Sequence, residues 1–119
     1  MRMIITCLIV LLSVIAIVGC SKKDASTKAF DTAFQSANNE VKDLWNKAMQ
    51  GVKSNDYAEA LISLMVLSQR TDLTPEQSNA VKQVYTTTNE KMYDAISKGD
   101  QNASEALKKV REFSTTIRR

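Results

Sequence analysis

The side chains that most often carry out chemistry in proteins are scarce in this chain of 119 residues. It contains no His and only two Cys, Cys7 and Cys20, and both lie within the first 20 residues. The commonest zinc sites and the Ser-His or Cys-His nucleophile pairs are therefore absent from the sequence after Cys20. One carboxylate pair, Glu90 and Asp94, lies on one predicted helix face, but ordinary solvated surface charges explain it. The composition predicts no enzyme, no metal site and no cofactor.

The thiol of Cys20 follows a segment that predicts export across a membrane. A positive start at Arg2 is followed by an apolar run over residues 4–18. An apolar run of about 15 residues with a small-residue exit is typical of a secretory signal. A membrane-spanning helix needs about 20 apolar residues. An uncleaved anchor with an incidental cysteine is the alternative interpretation.

The apolar run ends in Ile17, Val18, Gly19 and Cys20, and these four residues resemble the lipobox of bacterial lipoproteins. In that family the cysteine thiol receives a diacylglycerol group, and a peptidase then cuts before the cysteine. Gly19 matches the family's small residue, whereas Ile17 replaces the usual Leu and Val18 is bulkier than usual. The resemblance implies that residues 1–19 are a removed signal peptide. It also implies that residues 20–25 are the lipidated cysteine and a short tether.

Ser21 bears on the location of the protein, and the charge of the chain after Cys20 bears on its partners. Ser21, in place of an Asp, resembles the class of lipoproteins sent to the outer membrane. The implied location is the cell envelope, at the periplasmic face of the outer membrane in a Gram-negative bacterium. After Cys20 the chain carries 15 Lys and Arg and 13 Asp and Glu, interspersed. This charge balance indicates a solvated surface with no nucleic-acid partner. Membrane lipid and a protein or peptide are the expected partners, and the oligomeric state is left open.

Residues 26–119 predict an all-α domain, because apolar side chains recur at steps of three and four and no segment alternates with a period of two. Four helices are expected: residues 26–53, residues 55–69, a third that Thr74 opens, and a fourth from about Asn102. The predicted core contains Phe30, Phe34, Leu44, Leu61, Leu64, Val81, Val84, Leu107, Val110 and Phe113. In the alternative arrangement, residues 26–41 project from the bundle and leave Phe30 and Phe34 free to meet a membrane or a partner.

Local signals predict where the third helix begins and ends, and the apolar pattern of the second helix predicts how it is buried. Thr74, Pro75 and Gln77 have the order of a capping box with a proline at the first helical position. Gly99 suits the left-handed residue that follows a helix end. The second helix carries apolar residues on more than one side, which predicts burial on several sides.

An internal repeat relates the two halves of the domain. Residues 48–56 align with residues 92–100 at an offset of 44, and residues 58–61 align with residues 104–107 after a two-residue insertion. The repeat predicts two antiparallel helical hairpins that form a four-helix bundle.

The first hairpin resembles a tetratricopeptide repeat. The segment over residues 55–61 is similar to that family's turn and second-helix start, and Leu44, Ala48, Ala60 and Leu64 fall at the family's spacing. Gly51 departs from the family's Tyr, and Leu67 departs from its Ala. The resemblance implies a tetratricopeptide-like bundle with a peptide-binding surface.

Four aromatic residues are candidates for a partner groove: Trp45, Tyr57, Tyr85 and Tyr93. Trp45 lies on the core stripe of the first helix, and core packing is the favoured interpretation for it. The function predicted from these features is a membrane-anchored, non-catalytic module that binds a protein or peptide in the cell envelope. The alternative is a structural or accessory subunit of an envelope complex. The extent of exposed apolar surface discriminates between the two.

Overall fold

The computed structural model describes residues 30–119, and this part of the chain is all-α, with no strand. Residues Ala33–Arg119 form one compact unit. Residues 30–34 are also helical, and four longer helices follow them. Their bounds are α1 Asn39–Ser54, α2 Tyr57–Ser68, α3 Pro75–Ser97 and α4 Gln101–Ile117. The signal segment, the lipidated cysteine and the tether lie outside the described residues.

The prediction of one continuous first helix is wrong, because the chain leaves the helix at residues 35–38. Asn38 caps α1, and its side-chain oxygen accepts a hydrogen bond from the backbone N–H of Val41 at 2.9 Å. That N–H would otherwise bond to the carbonyl of Ala37 in an uninterrupted helix. Phe34 and Val41 are both 1% exposed, so the side chains that flank the break remain in the core.

The two tight turns of the repeat share two backbone features at the offset of 44. Asn55 and Gly99 both have positive φ, 57° and 87° respectively. After them, the N–H of Asp56 bonds to the carbonyl of Gly51 at 2.9 Å, and the N–H of Asp100 bonds to that of Ala95 at 3.0 Å. This is the Schellman pattern that ends a helix. Each Asp side chain then caps the following helix, so one residue serves both the end of a helix and the start of the next.

The capping box that opens α3 is confirmed. The backbone N–H of Gln77 donates to the hydroxyl of Thr74 at 3.2 Å, and the N–H of Thr74 donates to Gln77 Oε1 at 3.0 Å. Gln77 is 3% exposed and uses its remaining donor on the carbonyl of Ala33 at 2.9 Å. The residues that precede α1 are therefore tied to the start of α3.

Helix α2 is the centre of the unit and contacts α1, α3 and α4. The prediction that it is buried on several sides is confirmed, since Ala60, Leu61, Leu64 and Leu67 are all 0% exposed. Half of the predicted core set is buried: Phe34, Leu61, Leu64, Val81 and Val110. The other half is only partly buried, which corrects the prediction for Phe30, Leu44, Val84, Leu107 and Phe113. Met92 and the small residues Ala48, Ala80 and Ala103 are also 0% exposed, and the small side chains allow the helices to approach closely.

Candidate functional site

The lipidation site and its cleavage motif, Cys20 with Ile17, Val18 and Gly19, lie outside the described residues, so they remain predictions. Within residues 30–119, no helix is long and apolar enough to cross a bilayer. No group of three or more Cys, Asp or Glu in the same range is arranged to hold a metal ion.

Trp45 belongs to the core and offers no surface to a ligand. It is 1% exposed, and its ring stacks on that of Phe34, with ring centroids 4.0 Å apart and planes 8° apart. Offset or stacked aromatic pairs of this kind contribute about 1 kcal/mol beyond the area that they bury. The favoured interpretation of Trp45 as a packing residue therefore agrees with its position, and it does not line a groove.

The three tyrosines of the predicted groove do not converge on one surface of the described unit. Tyr57 and Tyr85 are half-buried and pack against the same core cluster, which includes Leu61 and Met92. They open onto different cavities. Tyr93 is 47% exposed and lines neither of them.

The more apolar of these two cavities lies between α2 and α3, and we call it the α2–α3 groove. Its volume is about 300 Å³. The side chains around it come from two turns of each helix, namely Leu64, Met65, Ser68, Val81, Lys82, Tyr85 and Thr86. An apolar floor with a few polar groups at the rim is the usual composition of a ligand-binding cavity. Of the predicted aromatic set, only Tyr85 contributes to it.

A second cavity, also about 300 Å³, lies where the first tight turn meets α4. Tyr57 lies in its wall with Asp56, Glu105 and Lys109, and its surface is mainly polar. Close to Tyr57, the ammonium of Lys98 is held by Asp94 at 2.9 Å. This hydrogen bond, with smaller favourable charge interactions, raises the pKa of Lys98.

The Glu90 and Asp94 pair does not form an isolated acid–base site in the structure. Asp94 is engaged by Lys98, and both carboxylates are exposed. Exposed carboxylates of this kind are ordinary surface charges on a helix.

The most organised polar cluster in the described residues surrounds Arg70, just after α2. Its guanidinium bonds to Asp72 at 2.8 Å and to Glu40 at 3.0 Å, and Asn38 donates to the same Asp72 carboxylate at 3.1 Å. The hydrogen bond from Arg70 is the main cause that lowers the pKa of Asp72 to about 2, and the bond from Asn38 adds to it. The hydrogen bonds from Arg70 to Asp72 and Glu40 raise the pKa of Arg70. The cluster ties the start of α1 to the loop between α2 and α3, which is a structural role.

No known protein family, curated protein or solved structure matches this chain.

Proposed function

We propose that the protein is a lipid-anchored, non-catalytic module of the cell envelope that binds a peptide segment of a partner protein in the α2–α3 groove. The anchor rests on the lipobox-like segment ending at Cys20. The binding role rests on one observation, the groove itself, whose accessible lining includes Met65, Lys82 and Tyr85, with the buried Leu64 and Val81 behind them. At about 300 Å³ the groove accommodates one or two apolar side chains of a bound segment.

The rim of the groove suggests the chemistry of that segment. Lys82 is exposed and forms no ion pair within residues 30–119, so its ammonium is available to a carboxylate. Tyr85 combines an apolar ring with a hydroxyl, a combination that suits the edge of a binding surface. A segment with one or two bulky apolar residues next to an acidic residue complements this arrangement.

The helical hairpins support the same proposal at the level of architecture. Two residues connect α1 to α2 and three connect α3 to α4, and each joined pair packs together. We propose that the two pairs form antiparallel hairpins in a tetratricopeptide-like bundle, a geometry that serves peptide binding in that family. Gly51 is a clear departure from the family, because no side chain fits at its position.

Exposed apolar surface favours this function over a permanently buried accessory subunit. Among residues 30–119, Tyr93 is the one large hydrophobic side chain that is exposed, at 47%. A permanent interface usually requires a contiguous apolar patch of several hundred Å². The described surface supports transient binding in a groove over permanent assembly.

The groove is tested by site-specific photo-crosslinking in intact cells. A photoreactive phenylalanine analogue replaces Met65 or Tyr85 in the groove, and a matched variant carries it at the exposed Lys47 of α1. We expect a discrete crosslinked product from the two groove positions and none from position 47. Addition of the Lys82→Glu change should weaken the product several-fold, because it reverses the charge at the rim. Equal products from all three positions, or none from any of them, would contradict the groove assignment.

A further inference from the structure

The charges of the described chain are strongly segregated, although their sum is zero. Residues 30–100 carry ten acidic and seven basic side chains, whereas residues 101–119 carry two acidic and five basic ones. Helix α4 and the two residues after it thus have a net charge of +3, against −3 for the rest. Segregation of this size creates a directed electrostatic field around a small domain.

Three of the five basic residues in this segment share one side of the helix. Lys108, Arg111, Thr115 and Arg118 follow one another at steps of three and four, so they form one stripe, which we call the basic stripe. All four side chains are exposed. None of its three cations forms an ion pair with another described residue.

The two acidic residues of α4 lie on the neighbouring side. Glu105, Lys109, Glu112 and Thr116 follow the same spacing and are also exposed, and we call them the mixed stripe. Ala103, Ala106 and Val110 turn the remaining side of α4 into the core. Glu105 and Glu112 lie three and four residues from Lys108 and border the basic stripe there, whereas no carboxylate lies three or four residues from Arg111 or Arg118.

We propose that the basic stripe of α4 docks on the anionic surface of the membrane to which the protein is anchored, and so fixes the orientation of the domain. This inference rests on the proposed lipid anchor. Basic side chains close to an anionic bilayer each contribute a factor of about five to the docking equilibrium. A lipid chain combined with a basic patch is a recurrent way to hold a protein against a membrane.

The length of the tether limits how far the described unit can lie from the lipid anchor. The hydrogen bond from Gln77 to the carbonyl of Ala33 fixes the entry of the chain beside the start of α3. Three residues connect α3 to α4, and the two helices are in contact. From Cys20 to Ala33 the chain spans at most about 45 Å when fully extended. Such a tether keeps the local lipid concentration high enough for weak charge interactions to act.

The test uses the full chain, expressed in a bacterial host and recovered from its membranes into lipid vesicles. If Cys20 is acylated and Cys7 is removed, a Thr115→Cys variant has a single free thiol for a fluorescent dye. Spin-labelled lipid head groups quench the dye when it lies at the membrane surface. A Thr116→Cys variant places the same dye on the mixed stripe as the matched control.

We expect strong quenching at position 115 in vesicles that contain phosphatidylglycerol. It should be several-fold weaker at position 116, in vesicles of phosphatidylcholine alone, and in 1 M salt, where the screening length is about 3 Å. Changing both Lys108 and Arg111 to Gln should lower the docking equilibrium about 25-fold. Changing Lys109 and Lys47 to Gln removes equal charge outside the stripe and should lower it far less.

The outcomes separate this inference from the proposed anchor. Protein that fails to float with vesicles and binds dye at more than one thiol overturns the anchor and, with it, the docking. Protein that floats with a single dye but shows equal quenching at positions 115 and 116, or in neutral lipid, overturns the docking alone. A photo-crosslink from position 115 to an acidic protein in cells, without quenching in vesicles, assigns the stripe to a protein partner and also overturns it.

Discussion

Gly51 lies where the last turns of α1 approach the start of α2 closely. A Cβ at this position would lie 2.7 Å from the backbone nitrogen of Ala60 and 2.9 Å from the carbonyl oxygen of Asp56. Both atoms belong to the backbone and cannot rotate away, so the helices themselves would have to separate. The absence of a side chain at this residue therefore sets the spacing of the first helix pair.

Gly51→Ala should destabilise the domain by about 1–2 kcal/mol, since overpacking outweighs the gain in helix propensity. The measurement is the free energy of unfolding from urea titration. Lys47→Ala, an exposed change in the same helix, serves as the control and should stay within about 0.5 kcal/mol of the wild type. A Gly51→Ala protein as stable as the control would contradict the close approach.

Asp72 makes part of the stability depend on pH. Its pKa is lowered from the ordinary 3.8 to about 2 by the hydrogen bond from Arg70, so the folded state favours the ionised carboxylate. The contribution is complete above about pH 4 and disappears as the pH falls through about 2.

The urea midpoint of Asp72→Asn should therefore lie below that of the wild type above pH 4, and the gap should narrow as the pH falls towards 2. Asp43→Asn removes an exposed carboxylate that has no ion pair within residues 30–119 and controls for lost charge. A gap that stays constant from pH 6 to pH 2 would exclude this role for Asp72.

At the scale of elements, the two tight turns are the clearest trace of the internal repeat. Asn55 and Gly99 both require a left-handed backbone, and their surroundings are exposed. Replacing either one with Ala should cost about 1–2 kcal/mol, because Ala is strained in that conformation. Asn55→Gly should retain stability, and Asn46→Ala, within α1, should not destabilise. If both Ala variants lost less than about 0.5 kcal/mol of unfolding free energy, the claim that both turns require a left-handed residue would be contradicted.

Signals that depend on neighbouring residues were readable from the sequence. The Thr74 and Gln77 capping box and the Gly99 helix end were predicted because their side-chain types act on backbone groups a few residues away. The interruption before α1 was missed, because the apolar stripe through Phe34 and Val41 continues in phase across it. The cap at Asn38 was its only sequence signal, since an Asn followed by an acidic first turn is a helix start.

The site was less predictable than the helices, because it depends on how separate helices meet. Residue type makes Tyr57, Tyr85 and Tyr93 candidates for a groove, but it does not determine which cavity each side chain opens onto. Met65 and Lys82 were not predicted as groove residues, since their proximity arises from the packing of α2 against α3. The basic stripe is readable in principle, but the small net charge of the whole sequence conceals it, because most acidic residues lie before α4.

At the scale of the whole molecule, α2 supports both proposed surfaces. It contacts the other three helices, forms one wall of the α2–α3 groove, and packs against the helix that carries the basic stripe. If the stripe faces the membrane and the groove receives a partner segment, one buried helix holds the two surfaces in a fixed relation. The account depends on attachment of this domain to the membrane through Cys20.

Metabolic labelling with palmitate tests that attachment most directly. The wild type is compared with Cys20→Ser and with Cys7→Ser, which alters the only other cysteine of the sequence. We predict label in the wild type and in Cys7→Ser, and loss of label in Cys20→Ser, because only the Cys20 thiol follows the lipobox-like residues. Equal label in the wild type and in Cys20→Ser would contradict the account.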